Sequence, residues 1–394
     1  MSKIAFTVMT WNIASFGATS ANEIFIDNEW KNVLHEYIAR KNDVLVNAVA
    51  NYILTSKVDI VIIQELFVDK NINEMGRHTR PTGDARVLVN NLLQTLRGED
   101  KGANWRQAYS NANARNATRD AYLFLWKATP SGSNAKYISI TPNGTVPADT
   151  ITVFNYQQKA TGNQIEILSE NYKGEVLHFG GSRKPGCGVF QFSYHGNTTV
   201  NNCMIASLHA ISPKRTGKGL IDSVSPNVHK GAINDCIQAI TAATKTASDA
   251  LKLGSLMPIL VGGDFNFNLN DDYYNNIKGQ YAKTQFNKAT KKNETVEKTS
   301  EYKLIAGIVN NTKNPPPPTT LNYGGPANAY DNFLTSAAST PITNKSWSVL
   351  GQNQKKEDEW SGVQFVRFKN NISDHLPVIA TFTFPDPNKL PTNS

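Results

Sequence analysis

Short runs rich in β-branched and aromatic residues alternate along this chain with longer stretches of helical period. Ile4 to Trp11 is apolar and strand-like and ends against Asn12. Asp43 to Leu54 repeats apolar side chains at Val44, Leu45, Ala48, Val49, Tyr52 and Ile53, the stripe of an amphipathic helix. Val58 to Ile63 predicts a buried strand running into Gln64 and Glu65. A second helix is predicted over Asp84 to Leu96, with Asp84 as N-cap. Ala121 to Trp126, Val189 to Tyr194 and Cys203 to Leu208 read as strands, the last two joined by the hairpin signal His195-Gly196-Asn197. Pro226 to Leu253 is the longest helical pattern, and the strand Pro258 to Val261 follows it. Two more strands are predicted, around Asn328 to Leu334 and over Pro377 to Phe384.

Between these elements lie three stretches that read as insertions. Residues 14–40 form a loop, and residues 128–175 are polar and punctuated by Gly, Pro and Asn. Residues 270–314 are rich in Lys and Asn and lead into the four-proline run 315–318, a stiff extended spacer. At 394 residues the chain is long enough for two domains or for one large layered α/β domain. Its chemistry-bearing residues run from position 12 to position 375, which favours one domain over residues 1–385 with insertions near 14–40, 128–175 and 270–318, and a tail at 386–394.

Composition narrows the class further. With 18% charged and 40% hydrophobic residues, the chain is neither disordered nor fibrous, and no uncharged apolar run approaches the ~20 residues of a membrane-spanning helix. Three cysteines without a CxxC spacing argue against zinc and against a disulfide framework, leaving open one bridge such as Cys187 to Cys203. The start, Met1-Ser2-Lys3-Ile4, lacks the apolar stretch of a secretory signal, so a cytoplasmic protein, or one exported without a cleavable signal, is expected. Forty Lys and Arg stand against thirty-two Asp and Glu, a formal net charge of +8 that suits a polyanionic partner.

Polar residues mark the ends of the predicted strands, in order: Asn12, Glu65, Asp120, His209, Asp264 with Asn266, Asp331 with Asn332, and Ser373-Asp374-His375. Strand ends converge on a common cleft, and carboxylates at this density repel one another unless a cation sits among them. A hard divalent ion with oxygen ligands answers that need. Two imidazoles with acidic neighbours add proton transfer near neutral pH. Phosphoester hydrolysis requires this combination of positioning, charge neutralisation and proton transfer. Each motif is weak alone: an Asp after two glycines, as Asp264 is, is usually a turn residue, and a lone histidine such as His209 is more often structural.

Thr10-Trp11-Asn12, Gln64-Glu65, Gly263-Asp264-Phe265-Asn266, Tyr330-Asp331-Asn332 and Ser373-Asp374-His375 together resemble, in order, the signature of the endonuclease/exonuclease/phosphatase superfamily. Asp120 to Trp126 and Ser207 to Ala210 look like its deoxyribonuclease I branch. Gly181 to Pro185 is similar to the phosphate-contacting arginine segment of that branch and of the catalytic subunit of cytolethal distending toxin. The resemblance implies a four-layer α/β/β/α sandwich with two packed mixed β-sheets. It implies Glu65 as the principal Mg²⁺ ligand, with Asp374 and Asn12 near the metal, and Mn²⁺ or Ca²⁺ as substitutes. Asp264 and Asn266 would position water or phosphate oxygens. His375, oriented by Asp331, would be the general base, and His209, paired with Asp120, the general acid. Arg183 would stabilise the transition state. The branch usually carries Glu in place of Asp120, and Arg or Tyr in place of Asn332.

The fold leaves the phosphoester open. Arg115 and Arg119 precede Asp120, Arg183 and Lys184 follow Gly181-Ser182, and Lys214, Arg215 and Lys218 follow His209. Around a phosphodiester cleft these cations would grip neighbouring phosphates of DNA, a contact that carries little sequence specificity. The expectation is a Mg²⁺-dependent, monomeric DNA endonuclease leaving 5′-phosphate and 3′-hydroxyl ends, with a toxin or effector role and an inhibitor or immunity protein as partner. The alternatives are a phosphatase or phospholipase acting on inositol phosphates, phosphoinositides or sphingomyelin, and, from another class, a catalytically idle binding module.

Overall fold

Alternate residues of the first strand meet two different surroundings. Phe6 packs on Phe192 with ring centroids 4.5 Å apart, whereas Trp11, on the other face, stacks on Phe368 at 5.9 Å. Phe192 belongs to a second sheet and Phe368 to a helix, so the strand's period of two assigns one face to each. The computed structural model describes residues 5–16, 45–67, 83–100, 103–110, 120–128, 138–142, 164–165, 171–172, 175–176, 185–194, 200–210, 226–266, 278–287, 289–304, 317–322, 325–336, 342–352 and 360–384.

In chain order these form β1 (Ala5–Phe16), α1 (45–55), β2 (Ile60–Phe67), α2 (Gly83–Glu99), β3 (Asn104–Ser110), β4 (Asp120–Ala128), β5 (Ile138–Pro142) and β6 (Gln164–Ile165). Next come β7 (Asn171–Tyr172), β8 (Glu175–Val176), β9 (Gly186–Tyr194), β10 (Val200–His209), α3 (Pro226–Ala250) and β11 (Ile259–Asp264). The chain continues with β12 (Lys278–Asn287), β13 (Lys292–Leu304), β14 (Leu321–Asn322), β15 (Gly325–Pro326), β16 (Asp331–Ser336), β17 (Thr343–Val349), α4 (Gly362–Asn371) and β18 (Val378–Thr383).

Two seven-stranded mixed sheets result, in the orders β17-β18-β1-β2-β4-β3-β6 and β12-β13-β16-β11-β10-β9-β5. Their inner faces bury Phe6, Phe124, Phe190, Phe192, Phe333 and Phe382 against one another. Outside the first sheet lie α1, α2 and α4, which contribute Val49, Ile53, Leu92, Leu96 and Phe368 to the same core. Outside the second lies α3, whose Ile233, Ile237, Ile240 and Ala243 pack on Met204, Ala206, Leu208, Val261 and Phe265. This is the four-layer α/β/β/α sandwich expected of the sequence. Complete burial of each large apolar side chain contributes roughly 2–3 kcal/mol, so the double interface accounts for much of the stability.

Strand direction decides where function can sit. β1 and β2 run parallel, as do β10 and β11, and all four end at one edge of the sandwich. The antiparallel strands β16 and β18 begin at that edge, with Asp331 opposite Asp264 and Val378 opposite Thr10.

Several elements differ from expectation. β1 runs on past Trp11 to Phe16, so Asn12 lies inside the strand rather than after it. The strands β3 and β17 and the helix α4 had no sequence prediction. α4 starts with a capping box, in which the Ser361 hydroxyl accepts from the Gln364 backbone and the Gln364 side chain accepts from the Ser361 amide. Within 270–314, residues 278–287 and 292–304 pair as a long antiparallel hairpin that extends the second sheet. Ladder hydrogen bonds between backbones hold such a hairpin whatever the composition, which is why a Lys- and Asn-rich stretch conceals it. The tail 386–394, most of 128–175 and the hairpin turn His195-Gly196-Asn197 lie outside the described residues, although the pairing of β9 with β10 shows the hairpin itself. The bridge between Cys187 and Cys203 is not formed. Cys187 faces α3, Cys203 faces the other sheet, and all three cysteines are buried thiols outside any disulfide.

Candidate active site

Inward-facing positions on each strand carry the chemistry once the strand reaches the edge. On β10 the inward set is Cys203, Ile205, Ser207 and His209, and on β11 it is Leu260, Gly262 and Asp264. Gly263 is required by the neighbouring backbone, because a Cβ there would lie 1.8 Å from the carbonyl oxygen of Leu208. The two strands can therefore bring His209 and Asp264 into register.

Glu65 reaches the site by a different device. Gln64 faces inward on β2, so strict alternation would turn Glu65 toward the helices. Instead the ladder slips between Ile63 and Leu66 and Glu65 adopts a left-handed backbone, φ 60°. A bulge of this kind re-aims one side chain at a local cost of about 1–3 kcal/mol, a form of strain that collects at functional sites. Asn266 is left-handed as well, φ 50°, which Asn tolerates far better than Glu.

The result is a ring of nitrogens around one oxygen. Asn12 Nδ2 donates to Asp264 Oδ2 at 3.1 Å and to Glu65 Oε1 at 3.2 Å. Asn266 Nδ2 donates to the same Oδ2 at 3.1 Å and to the Ala210 carbonyl at 2.9 Å, while the Asn266 amide donates to Oδ1 at 2.7 Å. His209 Nε2 lies 3.6 Å from both Asp264 Oδ2 and Glu65 Oε1. His375 Nε2 lies 3.7 Å from that Asp264 oxygen, and its Nδ1 is 2.8 Å from Asp331 Oδ2.

Electrostatics follow from this crowding. Burial pushes the Asp264 carboxyl up, but His375, His209, the Asn266 amide and the Asn12 carboxamide outweigh it and hold the group below the ordinary value. Asp331 is buried without such a surplus of donors, and burial raises it to about 6 against the pull of His375. Burial alone would lower His375; the carboxylates of Asp331, Asp264 and Asp374 reverse that and hold the imidazole well above its usual value.

Asp264, Asp331 and His375 offer ligand atoms within 4.8 Å of one another. Because Asp331 already bonds the His375 ring, that trio reads better as a proton-handling relay than as a cage for a hard ion.

Residues whose roles were not anticipated from sequence hold the relay. Thr319 Oγ1 accepts the amides of Tyr330 and Asp331 at 2.9 and 2.8 Å, and its carbonyl accepts from Leu376. Pro317 and Pro318, the described end of the run read as a spacer, immediately precede this threonine. Ser373 Oγ donates to the Asn12 carbonyl at 2.7 Å and accepts the His375 amide at 2.9 Å, and Trp11 Nε1 donates to the His375 carbonyl at 2.9 Å. Tyr122 presents its hydroxyl to the His209 amide at 3.1 Å across the two sheets. His229, fully buried on α3 beside Phe265 and Asp264, is lowered by burial. Trp11, Tyr122 and Ser373 fall inside the motif stretches, whereas no sequence signal marks Thr319 or His229.

Asp374 accepts the Leu321 amide through its carbonyl at 2.7 Å and acts on His375 through its charge. Asp120 opens β4 opposite Phe67, with its side chain outside the described residues. Arg115, Arg119, Arg183, Lys184, Lys214, Arg215 and Lys218 also lie outside them.

Residues 9–375 match the family described as Endonuclease/Exonuclease/phosphatase. The chain belongs to this family. Among solved structures it is similar to an endonuclease/exonuclease/phosphatase family protein from Bacteroides thetaiotaomicron, at 11% identity and TM-score 0.43 over 98% of this chain and 100% of that one. It is also similar to the human Nocturnin catalytic domain, at 12% and 0.40 over 98% and 97%. A third is ANGEL2, a 2′,3′-cyclic phosphatase, at 16% and 0.47 over 97% and 96%. No curated protein matches the chain. Among the described residues no helix is long and apolar enough to cross a membrane.

The endonuclease/exonuclease/phosphatase assignment makes the chain a phosphoester hydrolase by family, and enzymes of this family typically depend on a divalent metal. Its donor set fits such an ion. Glu65 and Asp264 offer carboxylate oxygens held near each other by the Asn12 carboxamide, with Asp264 buried and ionised.

Proposed function

We propose that the chain is a Mg²⁺-dependent endonuclease that hydrolyses DNA phosphodiester bonds with little sequence preference, leaving 5′-phosphate and 3′-hydroxyl ends. The observation that carries this reading is the approach of two imidazole nitrogens, from His209 and His375, to within 3.6 and 3.7 Å of a single carboxylate oxygen of Asp264. Two proton-transfer groups flanking one point match the needs of in-line displacement at phosphorus, where one proton leaves the water and another reaches the departing oxygen.

Glu65, Asn12, Asp264 and Asp374 would hold the cation, which would supply positive charge against the phosphate and the carboxylates. Asp264 and Asn266 orient the water. His375, backed by Asp331, takes the water proton as the P–O3′ bond breaks, and His209, with Asp120, returns a proton to the 3′ oxygen. The carboxylates that hold a proton on His375 in the metal-free protein also make it the stronger base once that proton has left. Arg119, Arg183, Lys184, Lys214 and Arg215 would bind neighbouring phosphates, in keeping with the net charge of +8. Residues 1–385 would act as a single monomeric domain, and a toxin or effector role with an inhibitor protein belongs to the same reading.

Supercoiled plasmid incubated with the protein and Mg²⁺ tests it. Nicking is expected, abolished by chelator and by His209→Ala, His375→Ala or Asp264→Ala in folded protein. Absence of cleavage on supercoiled, relaxed and single-stranded DNA sinks the reading, and phosphate release from an inositol phosphate without nicking replaces it with a phosphatase.

A further inference from the structure

The interior between the sheets is mostly aromatic and aliphatic, but the layer directly behind the site is polar. Thr10, Gln64 and Ser207 are completely buried there. Thr10 stands one inward step before Asn12 on β1, Ser207 one inward step before His209 on β10, and Gln64 adjoins Glu65 on β2. Gln64 Nε2 donates to Ser207 Oγ at 3.0 Å and to Thr10 Oγ1 at 3.1 Å. These bonds tie two strands of one sheet to a strand of the other. The sheets also come close in this layer, since a Cβ on Gly262 would lie 3.1 Å from Thr10 Cβ.

Stability alone does not account for the arrangement. Gln64 Oε1 is buried and has no hydrogen-bond partner among the described residues. An apolar side chain of similar volume would avoid that desolvation penalty and fill the same space.

We infer that Gln64, through Ser207 and Thr10, is a positioning residue that sets the offset between the two sheets, and with it the approach of Glu65 to His209. That approach, 3.6 Å between Glu65 Oε1 and His209 Nε2, spans the sheet interface and starts from residues directly bonded to, or one step from, this layer. The inference deepens the proposed function and rests on it for its kinetic arm.

The test compares wild type, Gln64→Met, Ser207→Ala and the double variant. In Gln64→Met the melting temperature is expected to hold or rise, while kcat on plasmid DNA falls about tenfold or more, since misplacement by about 1 Å can cost about a hundredfold. KM should stay within about twofold, because only transition-state geometry is disturbed. In the metal-free protein the His209 imidazole resonance should shift, while that of His375, bonded to Asp331, stays in place. The double variant should be no slower than Gln64→Met alone. Unchanged kcat with an unmoved His209 resonance overturns the inference, as do losses that multiply in the double variant. If Gln64→Met fails to fold, Ser207→Ala, which removes only the hydroxyl oxygen, carries the same readouts. If wild type cleaves no DNA, the proposed function has failed and the His209 resonance alone decides.

Discussion

His375 donates its Nδ1 side to a carboxylate that is itself wholly buried: Asp331 Oδ2 lies 2.8 Å away, and Asp331 is 0% exposed. The pair spans the sandwich, since Asp331 opens a strand of one sheet and His375 precedes a strand of the other. Its proton is therefore linked to the packing of the two sheets as well as to chemistry.

From this pair a pH dependence follows for the metal-free protein. The folded His375 sits well above the ordinary imidazole value of about 6.5. A group whose folded pKa is raised contributes stability that is complete below its unfolded pKa and is lost as pH climbs through the folded one. Asp331, raised to about 6, acts with the same sign, its share being gone once pH has passed that value. With chelator present, the melting temperature should fall from about pH 6.5 upward. Asp331→Asn should move the His375 titration, followed by NMR, to lower pH and flatten that fall. A His375 titration unmoved by the substitution would show that Asp331 does not govern it.

The left-handed Glu65 separates the demands of fold and function. Glycine at φ 60° relieves a strain of roughly 1–2 kcal/mol and removes a carboxylate of like charge near Asp264, at the loss of one hydrogen bond from Asn12. Glu65→Gly should therefore melt higher than wild type in chelator, yet lose activity by about a hundredfold or more. Added Mg²⁺ should raise the melting temperature of wild type and not of the variant, since only a bound ligand stabilises. Glu65→Gln keeps the strained backbone and should lose activity while gaining less stability than the glycine variant. Equal melting temperatures for the two variants in chelator would refute the strain assignment.

What sequence could reveal follows the same division. His209 and Asp264 end period-two strands, Asn12 takes an inward position on β1 and His375 lies just before β18, so apolar patterning and the order of motifs locate them. The inward turn of Glu65 was not legible, because it depends on a bulge that breaks the very alternation used to find strands. The roles of Thr319 and Tyr122 are invisible for another reason: they act through backbone amides, two for Thr319 and one for Tyr122, which leave no pattern in the sequence. The strand β17, TNKSWSV, is largely polar and exposed at a sheet edge, and the hairpin of β12 and β13 is written in Lys, Asn and Glu. Elements held by edge pairing need no apolar face, and so leave little periodic trace.

Gly262 and Gly263 look equivalent in sequence, but their surroundings predict opposite tolerance. A Cβ on Gly263 would meet the Leu208 backbone, at 1.8 Å from the oxygen and 2.8 Å from the carbonyl carbon, and backbone in a parallel ladder cannot step aside. Gly263→Ala should pry β11 from β10, cost about 3 kcal/mol or more in urea unfolding, and remove activity by breaking the register of His209 with Asp264. A Cβ on Gly262 would meet side-chain atoms instead: Phe333 Cε1 at 2.8 Å, Ile62 Cδ1 at 3.1 Å and Thr10 Cβ at 3.1 Å. Two of these are the far ends of rotatable side chains and can shift by tenths of an ångström. Gly262→Ala should accordingly cost only about 1 kcal/mol and leave a folded enzyme with measurable activity. Equal losses in the two variants would mean that the close approach of Gly263 to Leu208 does not set the limit in this strand.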